Sequence, residues 1–204
     1  VGDLLVEWGV DAGKVQQLDW WQETRIGGVR LVATPAQHFS GRGLKDRNTT
    51  LWSSVHLRGP RHSFFFGADT GLTAEYMDIA QRLGPFDAVA LEIGAYHPSW
   101  GQIHMGPDNA MTAYSMLASG ALLPIHWGTF NLAMHAWDQP IETVFDHATA
   151  RSVRLLTPRL GEPIEPARAP APDRWWRSVS AKAAKEVKEP AIADGNAPLE
   201  YLPD

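Results

Sequence analysis

Short apolar runs alternate with amphipathic stretches along the first 160 residues of the chain. The apolar runs are rich in β-branched or aromatic side chains and are bordered by Gly, Pro or Asp, which is the pattern of β-strands. Strands are predicted at residues 29–34, 49–58, 62–68, 88–93, 121–125 and 153–157. The tripeptide Gly59-Pro60-Arg61 joins the second and third of these strands in a predicted hairpin.

Helical patterns lie between the later strands. We predict helices at residues 73–83, 107–119 and 141–150, with Thr73 as an N-cap and Pro107 in a first turn. Strands interleaved with helices of this length favour a layered α/β or α+β domain over a helix bundle or a sandwich of strands alone. From Gly161 the chain becomes rich in Pro and Ala, so we predict a domain over residues 1–160 and an extended tail over residues 161–204.

Composition removes several classes of function. The 204 residues carry 18 Lys and Arg against 23 Asp and Glu, so a strongly basic nucleic-acid binder is not expected. The chain has no Cys, which excludes disulfides and Cys-ligated metal sites. No apolar run is long enough to span a membrane and no signal-peptide pattern is visible, so the expected location is the cytoplasm.

Three ionisable side chains come shortly after predicted strands. They are His38, Asp69 and His126. Ligands gather at the carboxyl ends of strands in layered folds, and two imidazoles with one carboxylate suit Zn, Fe or Mn. Two alternatives stay open: Asp69 would cap the helix that follows it, and His126 would be a core histidine that donates to a carbonyl.

A second group lies in the loop before the predicted helix at 107–119. Tyr96, Trp100 and His104 would bind substrate there, and His104 would supply a proton to a leaving group. The alternative is an aromatic-rich structural loop. The remaining histidines in other contexts are interpreted as surface or packing residues; these are His56, His62, His135 and His147.

Ordered sequence blocks carry a family resemblance from about residue 20 to residue 139. The blocks are Thr34-Pro35-Ala36-Gln37-His38, Leu51-Trp52, Phe64-Phe65-Phe66, Asp69-Thr70-Gly71, Gly84-Pro85-Phe86-Asp87, Ile93-Gly94-Ala95-Tyr96, His104 before Pro107, and Ile125-His126-Trp127-Gly128-Thr129-Phe130. In this order they resemble the later half of a metallo-β-lactamase-fold hydrolase. The branch most similar is the N-acyl-phosphatidylethanolamine-hydrolysing phospholipase D and its bacterial relatives.

The resemblance implies an αββα sandwich with two zinc ions. By matching positions, His38 would bind the first metal, His126 the second, and Asp69 would bridge both. Two metals lower the pKa of a shared water, which then attacks phosphorus. His104 would act as an acid or position the phosphate beside Asp69, while Tyr96 and Trp100 would contact the substrate.

The chain also departs from the family pattern. The His-x-His-x-Asp-His segment, which supplies further metal ligands, is absent from these 204 residues. We therefore expect the C-terminal half of the sandwich, holding at most one weakly bound zinc and inactive alone. Its uncovered sheet face would favour homo-oligomers or association with the missing N-terminal half. Glu92 and His97 flank the Gly-Ala-Tyr block in an atypical way.

The intact parent is accordingly expected to be a zinc-dependent phosphodiesterase of phospholipase D type. Its substrate would be an N-acyl-phosphatidylethanolamine-like lipid or a small molecule. Trp100, Trp127, Phe130 and Met134 would provide peripheral membrane contact, and the alternative is that they pack in the core. Another hydrolase of the same fold, such as a lactonase or a nuclease, is the first alternative. A degenerate half-domain without enzymatic activity is the second.

Overall fold

The computed structural model describes residues 1–180 except Leu44, Gly101, Ser119 and Asn131. The last residue of the helix expected at 107–119 and most of the expected tail therefore lie outside the described residues. The chain divides into two units, Val1–Pro172 and Asp173–Asp204. Among the described residues, no helix has the length and apolarity that crossing a membrane requires.

Within the described residues of the first unit, six strands form one mixed sheet in chain order. Antiparallel pairing joins β1 to β2, β2 to β3 and β3 to β4, and parallel pairing joins β4 to β5 and β5 to β6. The strands are β1 (Glu23–Ile26), β2 (Val29–Thr34), β3 (Ser54–Arg58), β4 (Ser63–Phe66), β5 (Ala88–Glu92) and β6 (Ala121–Ile125). Because β2 runs parallel to β4, the carboxyl ends of β2, β4, β5 and β6 share one edge.

Helices cover one face of this sheet. They are α2 (Glu75–Leu83), α3 (Gly106–Leu117) and α4 (Gln139–Ala150), while the short α1 (Gly2–Glu7) opens the chain. Helix α3 packs against α2, α4 and β5. The apolar side chains between the helices and the sheet are fully buried, which makes this layer the core; the largest are Phe65, Tyr76, Ile79, Leu91, Met111, Leu117, Leu122 and Ile141.

Alternation along β3 and β4 separates the two faces of the sheet. His56 and Phe65 point to the helix side and are buried, whereas Leu57, Phe64 and Phe66 share the other face. Phe66 is 39% exposed, and Leu57 and Phe64 are half-buried. This second face is covered in part: Phe64 packs against the buried Ala88, Ala121 and Leu156, whereas Phe66 is open to solvent.

The strand pattern predicted β2 and β6 at their observed bounds and the hairpin between β3 and β4. The strand expected at 153–157 is wrong, since only Leu155 makes an isolated bridge to Leu122. The expected N-cap role of Thr73 is shifted: α2 begins at Glu75, whose backbone N–H donates to the Thr73 hydroxyl over 3.3 Å. The pattern missed α1 and β1, because β1 is short and mostly exposed.

Candidate metal centre

Backbone and amide hydrogen bonds tie the loops at the carboxyl edge to one another. Gly71 N donates to the Gln37 carbonyl over 2.8 Å, and Gln37 N donates to the Thr70 hydroxyl over 2.8 Å. The Gln37 side-chain amide donates to the Gln102 carbonyl over 3.0 Å. A Cβ at Gly71 would lie 1.5 Å from that same oxygen, so only glycine permits this approach. These contacts bring His38, Asp69 and His104 to one place.

His126 follows β6 directly and faces Asp69 from the neighbouring part of the edge. Its Nε2 lies 3.5 Å from Asp69 Oδ2. The backbone of His126 is left-handed, with φ of 61°, a conformation that non-glycine residues adopt at a cost and that often marks functional positions. The Asp69 carboxylate raises the pKa of His126 to about 9, and the His126 ring in turn lowers the pKa of Asp69.

His38 and His126 both turn Nε2 toward the centre and use Nδ1 for a backbone hydrogen bond. The Nδ1–H of His126 donates to the Gly94 carbonyl over 3.2 Å, and that of His38 donates to the Phe39 carbonyl over 2.9 Å. A carbonyl only accepts, so the neutral rings carry their lone pair on Nε2. The Nε2 of His38 is buried and has no hydrogen-bond partner. Metal-bound histidines characteristically use one ring nitrogen for the metal and donate with the other.

A buried carboxylate stands behind His104. Glu92, the last residue of β5, is fully buried. Its Oε2 lies 2.7 Å from His104 Nδ1, and its Oε1 accepts from the Met105 backbone N–H over 2.6 Å. Burial raises the pKa of Glu92, while the hydrogen bond from His104 opposes that shift. The His104 ring stacks on His126 with centroids 5.2 Å apart and meets His38 edge-on at 5.3 Å.

The donor set fits a metal ion. The Nε2 atoms of His38 and His126 both face the centre, and a cation there would replace the proton that the His126 Nε2 shares with the charged carboxylate of Asp69. One ligand atom each from Glu92, His104 and His126 also lie within 4.8 Å of one another. We assign Glu92 to orienting His104, because both of its oxygens already accept hydrogen bonds. The unpartnered, buried Nε2 of His38 is most simply satisfied by a cation.

The structure therefore brings His38, Asp69 and His126 together, as the strand-end argument predicted, and places His104 from the second predicted group beside them. Their roles as ligands and catalytic groups stay predictions. Sequence reasoning noted Glu92 only as a departure from the family and missed it as part of the site. The signal was present, because a carboxylate ends an otherwise apolar strand, which was the same argument used for Asp69.

Of the two aromatic residues expected to touch substrate, Trp100 lies at the centre and Tyr96 packs in the fold. Trp100 meets the His104 ring edge-on, with centroids 5.9 Å apart. The Tyr96 ring stacks on His135 at 4.9 Å, and its hydroxyl donates to Gln139 Oε1 over 3.3 Å. The substrate role of Tyr96 stays a prediction, with its hydroxyl already occupied in this structure.

The histidines interpreted as surface or packing residues have other partners. His62 lies 3.2 Å from a Glu165 oxygen, and His147 lies 2.9 Å from an Asp108 oxygen, both in exposed ion pairs. His56 is buried and lies 2.9 Å from the Ser63 hydroxyl. These contacts agree with surface or packing positions outside the metal centre.

Residues 1–127 match the beta-lactamase superfamily domain. The chain is 42% identical over 180 residues to an uncharacterized protein of Mycobacterium tuberculosis, a match covering 87% of this chain and 48% of that protein. It is 36% identical over 123 residues to the N-acyl-phosphatidylethanolamine-hydrolyzing phospholipase D 1 of Caenorhabditis elegans, covering 57% of this chain and 35% of the enzyme. The chain thus spans about half the length, or less, of these relatives.

A solved structure shares the fold. A metallo hydrolase from the archaeon Ignicoccus hospitalis superposes with a TM-score of 0.57 at 20% sequence identity. The superposition covers 80% of this chain and 63% of the archaeal one. This likeness supports the mixed sheet with its helical layer as a metallo-β-lactamase architecture.

Proposed function

The chain belongs to the beta-lactamase superfamily, and from that premise we propose that the intact protein is a zinc-dependent phosphodiesterase acting on N-acyl-phosphatidylethanolamine-like lipids. The observation that carries the proposal is the convergence of His38, Asp69 and His126 at one edge of the sheet, where the buried His38 Nε2 has no hydrogen-bond partner and the His126 Nε2 faces the Asp69 carboxylate over 3.5 Å. The lipid substrate is supported by similarity to the nematode phospholipase D.

The residues of this chain have separable tasks. His38 and His126 would each hold a zinc ion through Nε2, and the two oxygens of Asp69 would offset the positive charge beside them. Bound zinc supplies a water of lowered pKa as the nucleophile. His104 directs Nε2 away from Glu92, because Nδ1 is fixed on the Glu92 carboxylate. When Nε2 carries a proton, it is the atom that protonates the leaving oxygen.

Substitution of His126 tests the function. In the intact protein with added zinc, His126→Ala is expected to lower turnover of an N-acyl-phosphatidylethanolamine at least 100-fold, because metal activation of water is lost. The matched control is His147→Ala, which removes an exposed histidine paired with Asp108. Turnover unaffected by His126→Ala would contradict the proposal. We expect this chain alone to bind zinc weakly and to show little or no turnover.

We also propose that the loop after β6 contacts the lipid surface. Phe130, Leu132 and Met134 are 73%, 64% and 92% exposed, and apolar side chains presented this openly favour an interface. Trp127, also expected there, instead stacks on Trp137 with centroids 6.4 Å apart. Trp100 belongs to the rim of the metal centre.

Sedimentation with phosphatidylethanolamine and phosphatidylglycerol vesicles tests this contact. The double substitution of Phe130 and Met134 to Ser should lower the bound fraction several-fold, since it removes apolar area from the interface. Leu160→Ser is the matched control, because Leu160 is 85% exposed but belongs to another segment. Equal losses in both variants would show that any exposed apolar side chain suffices and would refute a specific loop contact.

A further inference from the structure

A cleft of about 540 Å³ opens beside the metal centre, a volume in the range of small-molecule sites. Its walls belong to the loop after β2 and to the segment before α3. The lining residues are Phe39, Ser40, Gly41, Arg42, Gly43, Arg47, Trp100 and Ile103. Phe39 stacks on the His38 ring at 4.7 Å, and Trp100 meets His104 edge-on at 5.9 Å. One aromatic side chain therefore separates the cleft from each of these histidines.

The cleft combines two guanidinium groups with apolar walls. Arg47 lies over the Phe39 ring, with its Cζ 5.8 Å from the centroid, and Arg42 lies over Trp8 at 5.9 Å. These contacts use the faces of the guanidiniums. Arg42 also donates from Nη1 to the Thr50 hydroxyl over 3.3 Å, and the remaining N–H groups at the edges are available to an anion. Phe39, Trp100 and Ile103 supply the apolar lining.

The nearby carboxylate does not neutralise these cations by a direct ion pair. Both oxygens of Asp46 accept from backbone N–H groups, Oδ2 from Arg42 and Oδ1 from Gly43, each over 2.7 Å. These hydrogen bonds lower the pKa of Asp46 and fold the loop around it. Among the described residues, the ion pairs within 4.0 Å do not include Arg42 or Arg47. Two positively charged residues without an ion pair thus line the cleft.

We propose that this cleft binds an organic phosphate, with the oxyanion on Arg42 and Arg47 and the apolar substituent on Phe39, Trp100 and Ile103. A guanidinium matches a phosphate through parallel N–H donors, which a lone ammonium does not. An uncharged lipid tail would leave both positive charges without a counter-ion. The inference rests on the proposed function in one respect: it takes this phosphate to be part of the substrate that the metal centre holds.

Calorimetric titration of this chain with phenyl phosphate tests the cleft directly. EDTA is present throughout, so that metal-bound phosphate does not contribute. Phenyl phosphate should bind more tightly than inorganic phosphate and phenol, because it engages both charge and apolar wall. Binding should weaken as salt is raised, since the guanidiniums are exposed.

Substitutions in one loop separate the cleft from general charge. Arg42→Gln and Arg47→Gln should each weaken phenyl phosphate binding about three- to tenfold, and their combination should weaken it more. Arg47→Lys should recover part of the loss, because it restores the charge but not the planar donors. The matched control, Lys45→Gln, removes one positive charge from an exposed residue outside the lining and should change binding less than twofold.

Three outcomes overturn the inference: no binding by the unsubstituted chain, binding unchanged in the double variant, or an equal loss in Lys45→Gln. Circular dichroism of each variant verifies that the fold is retained, and Arg47→Lys supplies a variant of unchanged charge. Failure of the proposed function is distinguishable, because this measurement requires neither metal nor turnover. Turnover in the intact protein that is insensitive to both Arg substitutions would leave the function standing and remove the cleft from it.

Discussion

His56 lies in the middle of β3, inside the helix-covered face of the sheet, whereas His126 lies at the carboxyl edge, directly after β6. His56 is 2% exposed and has the Ser63 hydroxyl as its partner. Burial lowers its pKa to about 4, and the charges of Arg30 and Arg58 add to this shift. His126 faces the Asp69 carboxylate, which raises its pKa to about 9. The interior therefore holds a neutral imidazole and the edge holds a proton that a metal cation would replace.

The contrast extends to the surroundings of each histidine. The neighbours of His56 are apolar: the Phe86 ring meets the His56 ring edge-on at 5.5 Å and lies 5.7 Å from the Phe65 ring. The carboxyl edge contains the fully buried carboxylate of Glu92 and the left-handed backbone conformation of His126. Both features lower the stability of the fold, and such costs are typical of functional sites. The interior thus stabilises the fold, and the edge is organised for chemistry at the expense of some stability.

Phe65 and Phe66 give the sharpest test of the interior, because they are neighbours on opposite faces of β4. Phe65 is 0% exposed and Phe66 is 39% exposed. Phe65→Ala should lower the free energy of unfolding by about 3–5 kcal/mol, through lost burial and a cavity. Phe66→Ala should cost about 1 kcal/mol or less, because the residue is already partly solvated.

Urea unfolding at neutral pH measures both values. Calorimetric zinc affinity of the folded Phe65→Ala chain should stay within about twofold of the unsubstituted chain, since Phe65 packs on the helix side, away from the metal centre. A large loss of affinity in that variant would show that interior and edge are coupled. Equal costs of unfolding for the two phenylalanines would contradict the division of the sheet into a covered and an open face.

Acidification tests the neutral state of His56. Between pH 6.5 and about 4 the unfolded chain binds a proton at this residue that the folded chain does not. The contribution of His56 to stability is therefore present above pH 6.5 and is lost as the pH falls through this range, by about 3 kcal/mol. Urea midpoints between pH 7 and pH 4.5 measure it. His56→Gln, which cannot titrate, should flatten the slope; an unchanged slope would place the titration elsewhere.

The interior of the sheet and its carboxyl edge differed in how much of their structure could be predicted from the sequence. The bounds of β2 and β6 followed from apolar runs with clear borders, and the strand-end rule gathered His38, Asp69 and His126 correctly. The strand expected at 153–157 failed because an apolar run does not show whether a partner strand is within reach; only Leu155 pairs. β1 was missed because a short, mostly exposed edge strand carries little hydrophobic signal.

Side-chain partnerships at the edge were outside the reach of pattern reading. The pairing of Glu92 with His104 depends on β5 ending at the same edge as β4 and β6 and on the approach of the loop before α3. The cleft with Arg42 and Arg47 depends on how Asp46 folds its loop through backbone N–H groups. Both are tertiary consequences, since the residues involved carry no periodic pattern in the sequence.

Glu92→Gln is expected to have a smaller effect than the substitutions of Phe65 and His56. It acts only at the carboxyl edge. The new amide oxygen can still accept from the Met105 N–H, but the amide nitrogen that replaces Oε2 donates. His104 must then accept at Nδ1 and carry its proton on Nε2, so an N–H group points toward the cation that His38 and His126 would hold and weakens its binding. Zinc affinity should fall about tenfold, the lower end of the range for groups that orient the residues of a metal site.

Nitrogen NMR of the His104 ring shows the tautomer without any turnover measurement. In the unsubstituted chain the proton should sit on Nδ1, and in Glu92→Gln it should move to Nε2. Glu165→Gln is the matched control, because Glu165 also pairs with a histidine, His62, but at an exposed position; it should alter neither the His104 signal nor zinc affinity. A proton that stays on Nδ1 of His104 in Glu92→Gln would show that the buried carboxylate does not set the orientation of the ring. The edge would then lose the feature that distinguishes it from the interior pair of His56 and Ser63.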